Sequence, residues 1–345
     1  MSSTRAQTPT LSRRTALLSV SGLILLAGCA GVQGGVQDGG QAAGKGFPSK
    51  AIQFTVPFPP GGSSDAIGRA VAKGMADPIG KPVVVVNKPG AAGALGAQEV
   101  RSMTADGYNL VMLASSLFTV TPLAIPDGTA PALEDFTIIK GLTVEPIVLF
   151  ARADGPYQSI KDVLALKGSG KRVTYSTTGA GTTSQFAQKL LLGSLKVNAS
   201  EVPFEGGAPA VAAVLGEQVD LGANHPKEVI EQVKAGNLRI LGIFSPERSS
   251  LLPDVPTLKE SGVDIVVEQR RFLGAPKGLA DDVLTKLRAA VDDAQRDPAY
   301  GTFLTGNYID RNEIDAATMA NDLAAAKRTY AAQIGTFGVD FSKGQ

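Results

Sequence analysis

The sequence contains little of several residue types on which common functional sites depend. Its 345 residues include one cysteine, one histidine and no tryptophan. A single cysteine excludes an internal disulfide and a thiolate metal cluster, and a single histidine excludes a multi-histidine metal site. Any Ser-His-Asp triad would have to use His225. We therefore expect no metal and no other cofactor.

An excess of charge of one sign is also missing. The chain has 33 basic and 32 acidic side chains, which gives a net charge of +1. This balance excludes a general electrostatic attraction to nucleic acid. With 43% hydrophobic and 19% charged residues, the composition is that of a globular protein. The length predicts two domains, each large enough for its own core.

The first 28 residues have the pattern of a secretory signal peptide. Arg13 and Arg14 precede an apolar run over residues 16–27, which is too short to span a bilayer. A basic segment, a short apolar segment and small residues after it are typical of an export signal. The paired arginines also resemble a twin-arginine signal. We therefore predict a periplasmic protein, exported by the general or the twin-arginine route.

The signal ends in Leu26-Ala27-Gly28-Cys29, which resembles the bacterial lipobox. The resemblance implies cleavage before Cys29 and lipidation of that residue. The alternative is ordinary cleavage at the small residues, which would leave a free thiol. Residues 30–46 contain seven glycines and few bulky side chains, so residues 29–46 are predicted to form a lipidated, flexible tether at a membrane.

From Phe47 onward, short β-branched runs alternate with amphipathic stretches of helical period. Strands separated by such helices predict parallel sheets with helices on both faces. The chain beyond Ala280 is predicted to be mostly helical. The pattern therefore indicates an α/β protein.

Two turns of similar composition lie in the two halves of this pattern. Residues 55–65 and 174–184 each run from a strand, through small and hydroxyl-bearing residues, into a helix. The unpaired N–H groups and positive dipole end of a helix N-terminus favour an anion, and glycine allows close approach. Residues 204–209 again open a helix with two glycines. Each turn alone is better explained as an ordinary helix cap, but the matched pair predicts a ligand cleft between two domains.

Two further side chains could face such a cleft. His225 follows a predicted strand, where it could donate to a ligand carboxylate or simply precede the next helix. Arg271, in the pair Arg270-Arg271, could bind a carboxylate through two hydrogen bonds or be solvated.

Familiar catalytic motifs are absent from the sequence. It has neither a Gly-x-Ser-x-Gly elbow nor a Gly-x-x-x-x-Gly-Lys-Ser/Thr loop. We therefore predict that the protein is not an enzyme. A secreted hydrolase that pairs a cleft serine with His225 is the remaining catalytic hypothesis.

Several motifs occur in order along almost the whole chain after residue 46. They are FPSK at residues 47–50, VPFPPGGSSD at 56–65, VNKPGAAG at 86–93, ADGY at 105–108, YSTTGAGT at 175–182, PFEGGAP at 203–209, LPDVPT at 252–257 and APKG at 275–278. Together they closely resemble the substrate receptors of tripartite tricarboxylate transporters, the Bug family. The resemblance covers roughly residues 47–340.

This resemblance implies a two-lobed periplasmic-binding-protein fold of type II-like α/β class, with each lobe a mainly parallel sheet flanked by helices. Residues 48–150 and 272–345 would form the first lobe, and residues 151–271 the second. The expected function is an extracytoplasmic receptor that closes on a small carboxylate and delivers it to membrane transporter subunits. An exported sensor with the same fold is the alternative.

The same reasoning nominates ligand-binding residues on both lobes. The resemblance and the two side chains above give Pro60, Gly61, Gly62, Ser63, Asp65, Ser115, Ser116, Ser176, Thr177, Gly179, Thr182, Gly206, Gly207, His225 and Arg271. Asp65 would either touch the ligand or cap its helix. Glu205 stands where many family members have a base, and it would repel an anion if it faced the cleft. Arg271 resembles an arginine of a tricarboxylate-type subset.

Overall fold

Two β-sheets organise the protein. The computed structural model describes residues 46–125 and 130–341. The predicted signal peptide, Cys29 and residues 29–45 of the predicted tether lie outside the described residues. We call the first sheet and the helices packed on it the first lobe, and the second sheet with its helices the second lobe.

The elements follow one another in an alternating order. The strands are β1 (Ile52–Val56), β2 (Val83–Asn87), β3 (Asn109–Ala114), β4 (Phe136–Pro146), β5 (Val148–Arg152), β6 (Arg172–Thr177), β7 (Asn198–Pro203), β8 (Leu221–Asn224), β9 (Leu238–Ile243), β10 (Glu268–Pro276) and β11 (Asp310–Arg311). The helices are α1 (Ser63–Ile79), α2 (Ala94–Arg101), α3 (Ser116–Thr119), α4 (Thr121–Ala124), α5 (Ile160–Leu164), α6 (Thr183–Ser194), α7 (Gly207–Leu215), α8 (Pro226–Lys234), α9 (Asp281–Arg296), α10 (Pro298–Gly306) and α11 (Ala316–Phe337).

Both sheets mix parallel and antiparallel strands. The first sheet has the order β11-β4-β10-β3-β1-β2, and the second has the order β7-β6-β8-β5-β9. β1 is parallel to β2 and β3, and β6 is parallel to β7 and β8. The remaining pairings are antiparallel. The predicted two-lobed α/β fold is confirmed, and in each sheet most strands run in the same direction, with β10 and β11 opposed in the first sheet and β5 opposed in the second.

The antiparallel pairings arise where the chain passes between the sheets. Helical crossovers make neighbouring strands parallel, as they do for β1 and β6. By contrast, β4 ends at Pro146 and β5 begins at Val148, so the chain changes sheets at Ile147. It returns to the first sheet with β10, which begins at Glu268. Arg271 therefore lies on a strand of the first sheet.

Apolar spacing explains how the helices pack on these sheets. In α1, Ile67, Val71 and Met75 lie four residues apart on one face, and all three are fully buried. Gly80 ends this helix with a φ of 72°, a conformation that favours glycine. The described chain joins the same core at Phe47, whose ring lies 5.1 Å from that of Tyr108.

The last helix contributes to the cores of both lobes. Met319 near the start of α11 packs with Phe272 of the first sheet. Tyr330 near its end lies 4.8 Å, ring to ring, from Phe186 of the second lobe. The C-terminal segment predicted for the first lobe thus also stabilises the second. No helix in the described part of the chain combines the length and apolar character needed to cross a membrane.

Candidate functional site

A cleft of about 190 Å³ lies where turns from the two lobes face each other. α1 begins on its first-lobe side, and α7 and α8 begin on its second-lobe side. The lining comprises residues 57–60, 62–64, 89–93, 178, 182–183 and 205–209, together with Ser116, His225, Glu228, Gln269 and Arg271.

The first-lobe wall is the turn between β1 and α1. Pro60, Gly62 and Ser63, which we nominated as ligand-binding residues, line the cleft, and so does Ser64. Gly62 is the N-cap residue of α1 and makes no side-chain cap. The first N–H groups of a helix lack partners within the helix, so this turn can accept an anion.

Asp65 and Gly61 support this turn without lining the cleft. The N–H of Gly61 donates to Oδ2 of Asp65 at 2.9 Å, and Nδ2 of Asn87 donates to Oδ1 at 2.9 Å. Burial would raise the pKa of Asp65, but hydrogen bonds from Arg69, Gly61 and Asn87 outweigh it and lower that pKa. Asp65 is neither in the cleft lining nor the N-cap of α1, and its hydrogen bonds instead hold the turn that leads into this helix.

The second-lobe wall consists of the turns before α6 and α7. Thr182, Gly206 and Gly207 line it, as predicted. Thr182 is the N-cap of α6: its Oγ1 accepts from the N–H of Gln185 at 3.3 Å and donates to the carbonyl of Gly179 at 2.8 Å.

Three residues nominated on this lobe do not line the cleft. Ser176 and Thr177 are fully buried in β6, and the Thr177 hydroxyl donates to Glu201 at 2.9 Å. Gly179 likewise lies outside the lining, which Thr178 joins instead. The strand end is therefore part of the second-lobe core, and the exposed turn begins one residue later than expected.

In the segment after β3, only the second of the two nominated serines lines the cleft. Ser116 lines the cleft, whereas Ser115 is buried beside it. Oγ of Ser115 accepts from the N–H of Arg270 at 2.9 Å and from Nε2 of Gln269 at 3.0 Å. Gln269 in turn accepts from the hydroxyl of Thr183 at 3.3 Å, which links the two lobes. Sequence reasoning missed Gln269.

A buried ion pair contributes its arginine to the lining of the cleft. Arg271 is 3% exposed and pairs with Glu145, which is fully buried. The Ser63 hydroxyl donates to Glu145, and Nε of Arg271 donates to Oγ of Ser64 at 2.9 Å. Burial lowers the pKa of Arg271 to about 9, so the guanidinium remains charged at neutral pH. Arg271 is thus in the predicted cleft, but its charge is already balanced.

His225 lies against this pair as a neutral imidazole. Its Nε2 is 3.2 Å from Nη2 of Arg271, and its Nδ1 is 3.4 Å from the carbonyl of Pro146. A guanidinium can only donate, so Nε2 accepts and Nδ1 carries the proton. Burial lowers the pKa of His225, despite opposing effects of Glu228 and the Pro146 carbonyl. Both ring nitrogens are engaged, which leaves neither in place to activate a serine.

The sequence and this geometry agree with a comparison to known proteins. The family model "Tripartite tricarboxylate transporter family receptor" (TctC) matches residues 67–334. The chain belongs to this family. The predicted resemblance is therefore confirmed, and the TctC family consists of solute-binding receptors.

Relatives of this TctC receptor cover most of its length. Protein BugT of Bordetella pertussis is 32% identical over 260 residues, which are 73% of this chain and 78% of the relative. The periplasmic binding protein BugD is 27% identical with a TM-score of 0.78, over 85% of this chain and 99% of BugD. MatC from Rhodopseudomonas palustris, solved with bound malate, is 27% identical with a TM-score of 0.77, over 84% and 100%.

The receptor's cleft also contains a turn that the site prediction left out. Residues 89–93 line it, and Ala91 and Ala92 have φ values of 47° and 53°. Non-glycine residues rarely adopt this conformation, and such strain concentrates at functional sites. The motif at residues 86–93 was visible in the sequence, but nothing in it showed which sheet edge it would reach.

Two acidic residues line the cleft of this TctC receptor. Glu205 is exposed and faces the cleft, the position in which we expected it to repel an anion. Glu228, in the first turn of α8, was not predicted. Within residues 46–125 and 130–341, no group of three His, Cys, Asp or Glu side chains could hold a metal ion.

Proposed function

We propose that this receptor captures a small carboxylate outside the cytoplasm and delivers it to the membrane subunits of a tripartite tricarboxylate-type transporter. One observation carries the proposal: α1 and α7 belong to different lobes, yet both begin at glycine turns that line one cleft. A ligand bound there contacts both lobes at once.

The donors in the cleft suit a carboxylate. α1 and α7 present N–H groups at their positive dipole ends. The hydroxyls of Ser116 and Thr183 and the Arg271 guanidinium belong to residues of the same lining. Malate bound to the related MatC supports this choice of ligand class.

Capture then proceeds by closure of the two lobes. Thr121 Oγ1 donates to the carbonyl of Gly181 across the lobes at 3.0 Å, and Thr183 bonds to Gln269. In this proposal the lobes rotate about Ile147 and the segment before β10, and such contacts form as the cleft closes. Water leaves the closed cleft, which strengthens the hydrogen bonds to the ligand.

We also propose that the receptor is held at a membrane surface in the periplasm by lipidation of Cys29. The support is the lipobox resemblance of residues 26–29 and the glycine-rich segment that follows. Two acyl chains would anchor the protein stably, whereas one would bind reversibly.

A thermal-shift screen of the purified protein tests the ligand class. The panel contains malate, adipate, citrate and benzoate, with glucose and glycerol as neutral controls. A ligand at 1,000 times its Kd adds about 4 kcal/mol to the unfolding free energy, which raises Tm by several degrees. Shifts by acids alone support the proposal. A cooperative melt that no acid moves, or that neutral compounds move equally, contradicts it.

A further inference from the structure

Tyr308 follows helix α10 in a backbone conformation that favours glycine. Its N–H donates to the carbonyl of Thr305 at 3.2 Å, and the N–H of Ile309 donates to the carbonyl of Leu304 at 3.0 Å. These two bonds form a Schellman motif, in which the residue with positive φ is usually glycine. Helix α11 follows this rule with Gly338, whereas Tyr308 has a φ of 60°. An L-residue is strained there, so the turn itself does not explain a tyrosine.

The ring of Tyr308 contacts the opposite lobe. Its backbone belongs to the first lobe, because Leu304 and Ile309 on either side of it are buried in the first-lobe core. The ring packs against the second-lobe core, and its centroid lies 5.7 Å from Nζ of Lys234. A cation at this distance from an aromatic ring is attracted to it. Contact between the lobes therefore gives a reason for a residue that the turn disfavours.

This contact depends on one side chain of the first lobe. A cavity of about 500 Å³ lies beside the ring. Among the described residues that line it, Tyr308 alone comes from the first lobe, and the others belong to α8, β9 and nearby second-lobe loops. A single substitution therefore removes the first-lobe side of the contact.

Helix α8 connects this contact to the ligand cleft. Its N-cap residue His225 lines the cleft, with Nε2 3.2 Å from Nη2 of Arg271. Its second half contributes Ile230 and Val233 to the cavity beside Tyr308. Nine residues of α-helix are about 13 Å long. The first lobe thus meets α8 near both of its ends, at Arg271 and at Tyr308.

We propose that Tyr308 is a positioning residue for ligand capture: its ring supports the far end of α8, so that the start of this helix stays against Arg271 at the cleft. The inference rests on the proposed function, because it assumes capture by closure of the two lobes. Without the ring, α8 can tilt toward the cavity, and the closed form is populated less. A ligand that requires the closed form then binds more weakly and leaves faster.

Two variants without the ring separate this role from a purely structural one. Tyr308→Ala removes the ring and keeps the strain, whereas Tyr308→Gly removes both. Each should weaken binding of malate or adipate by about three- to tenfold, mainly through faster dissociation. Tyr308→Gly should nevertheless melt a few degrees above Tyr308→Ala. Titration calorimetry, stopped-flow kinetics and thermal unfolding measure these effects.

His225 reports the position of α8 without any ligand. It is the only histidine in the sequence, so the untagged protein gives one imidazole signal in an NMR titration. Burial lowers the pKa of His225 in the wild type. If the start of α8 moves away from Arg271, water reaches the imidazole, and its pKa should rise toward the ordinary value in both ring-free variants. Tyr308 lies at the other end of the helix, so direct contact cannot cause this shift.

The matched control is Phe303→Ala. Phe303 is half-buried on α10, and its ring stacks on that of Tyr300 in the same lobe, with the centroids 6.2 Å apart. This variant should lower Tm and change neither the affinity nor the titration of His225. Tyr308→Phe keeps the ring and should retain wild-type values of both, because the ring and not the hydroxyl makes the contact.

Other results separate this inference from the proposed function. If the ring-free variants bind malate and adipate as tightly as the wild type does, or if His225 titrates in them as in the wild type, the inference is wrong and carboxylate capture stands. Affinities that follow Tm, with Tyr308→Gly nearer to the wild type than Tyr308→Ala, would also overturn it. If no acid binds the wild type, carboxylate capture fails, and the titration of His225 still decides whether Tyr308 positions α8.

Discussion

Single residues decide whether the cleft can admit a ligand, and Gly62 offers the clearest case. Its φ of −75° suits any residue, and a Cβ would meet nothing closer than 3.5 Å. The fold should therefore accept a larger residue here, whereas Gly61, with a φ of 83°, would be strained by one.

Replacing Gly62 with valine should block the cleft and leave the protein folded. The branched side chain would stand in front of the N-terminus of α1, where we propose that the carboxylate binds. We expect affinity for the best acid of the screen to fall by about 100-fold or more, and stability by about 1 kcal/mol through the poorer N-cap. Titration calorimetry and chemical denaturation measure the two effects.

A control for this variant is Gly335→Val in α11, where a Cβ would meet nothing within 4 Å. It should leave affinity unchanged. Binding by Gly62→Val with wild-type affinity would contradict the position assigned to the carboxylate.

His225 gives stability a pH dependence that can be attributed to one residue. Because burial lowers its pKa in the folded state, the unfolded chain binds a proton more readily. The unfolding free energy should therefore be lost as pH falls below about 6.5, at about 1.4 kcal/mol per pH unit until the folded pKa is reached. Above that pH the contribution is fully present.

The measurement is denaturant unfolding at pH 5, 6 and 7 for the wild type and for His225→Gln. The chain has only one histidine, so the variant should show a smaller slope in this window. Equal slopes would show that another group titrates there.

At the scale of elements, the turn at residues 89–93 should store strain. Ala91 is exposed and has a φ of 47°, which costs an L-residue about 1–2 kcal/mol. We expect Ala91→Gly to raise the unfolding free energy by about 0.5–1 kcal/mol, after allowing for the greater freedom of glycine in the unfolded chain. Ala325→Gly, at an exposed position in the interior of α11, should lower it by about 1 kcal/mol. Thermal unfolding of both variants tests whether the two changes in unfolding free energy have opposite signs. A loss of stability in both variants would contradict the strain proposed for Ala91.

The elements also show how far the sequence could predict the fold. A β-branched run predicts a strand over Ile52–Val56, and the helical pattern of the last segment predicts a helix over Ala316–Phe337. The structure has β1 and α11 with these bounds. β10 was missed because it begins Glu268-Gln269-Arg270-Arg271, which has the polarity of a loop. Its side chains are buried because Glu145 and Ser115, more than a hundred residues away, supply their partners. The local sequence pattern cannot identify partners that are so distant along the chain.

The lining of the cleft could likewise be predicted only where a residue has a local sequence signature. The glycine turns around Gly62 and Gly207 were found, since small residues before a helix have a local signature. Ser176 and Thr177 looked equivalent to them, yet both are fully buried in β6 and do not line the cleft. Glu228 had no signature at all, because an acidic residue in the first turn of a helix is common. Glu228 lines the cleft only because the fold brings the turns at Gly62 and Gly207 next to it.

At the scale of the whole molecule, the proposed attachment to a membrane through Cys29 is the property to test first. Cys29→Ser should move the protein from the membrane fraction to the soluble fraction of the cell envelope, because it removes the thiol that we propose is lipidated. Fractionation followed by immunoblotting measures this. A variant that stays with the membrane would mean that Cys29 is not the anchor, and Ser49→Ala, at an exposed residue, should leave the wild-type distribution unchanged.

The way the chain joins the core at Phe47 has a mechanical consequence for such an anchor. Phe47 packs on Tyr108, and its carbonyl accepts from Nζ of Lys286, so this junction belongs to the first lobe. Residues 148–267 leave the first sheet and return to it without interrupting the strands around that junction. A pull that reaches Phe47 therefore enters the protein through the first lobe. If Cys29 is lipidated as we propose, the membrane would hold the first lobe, and closure would be a movement of the second lobe toward it.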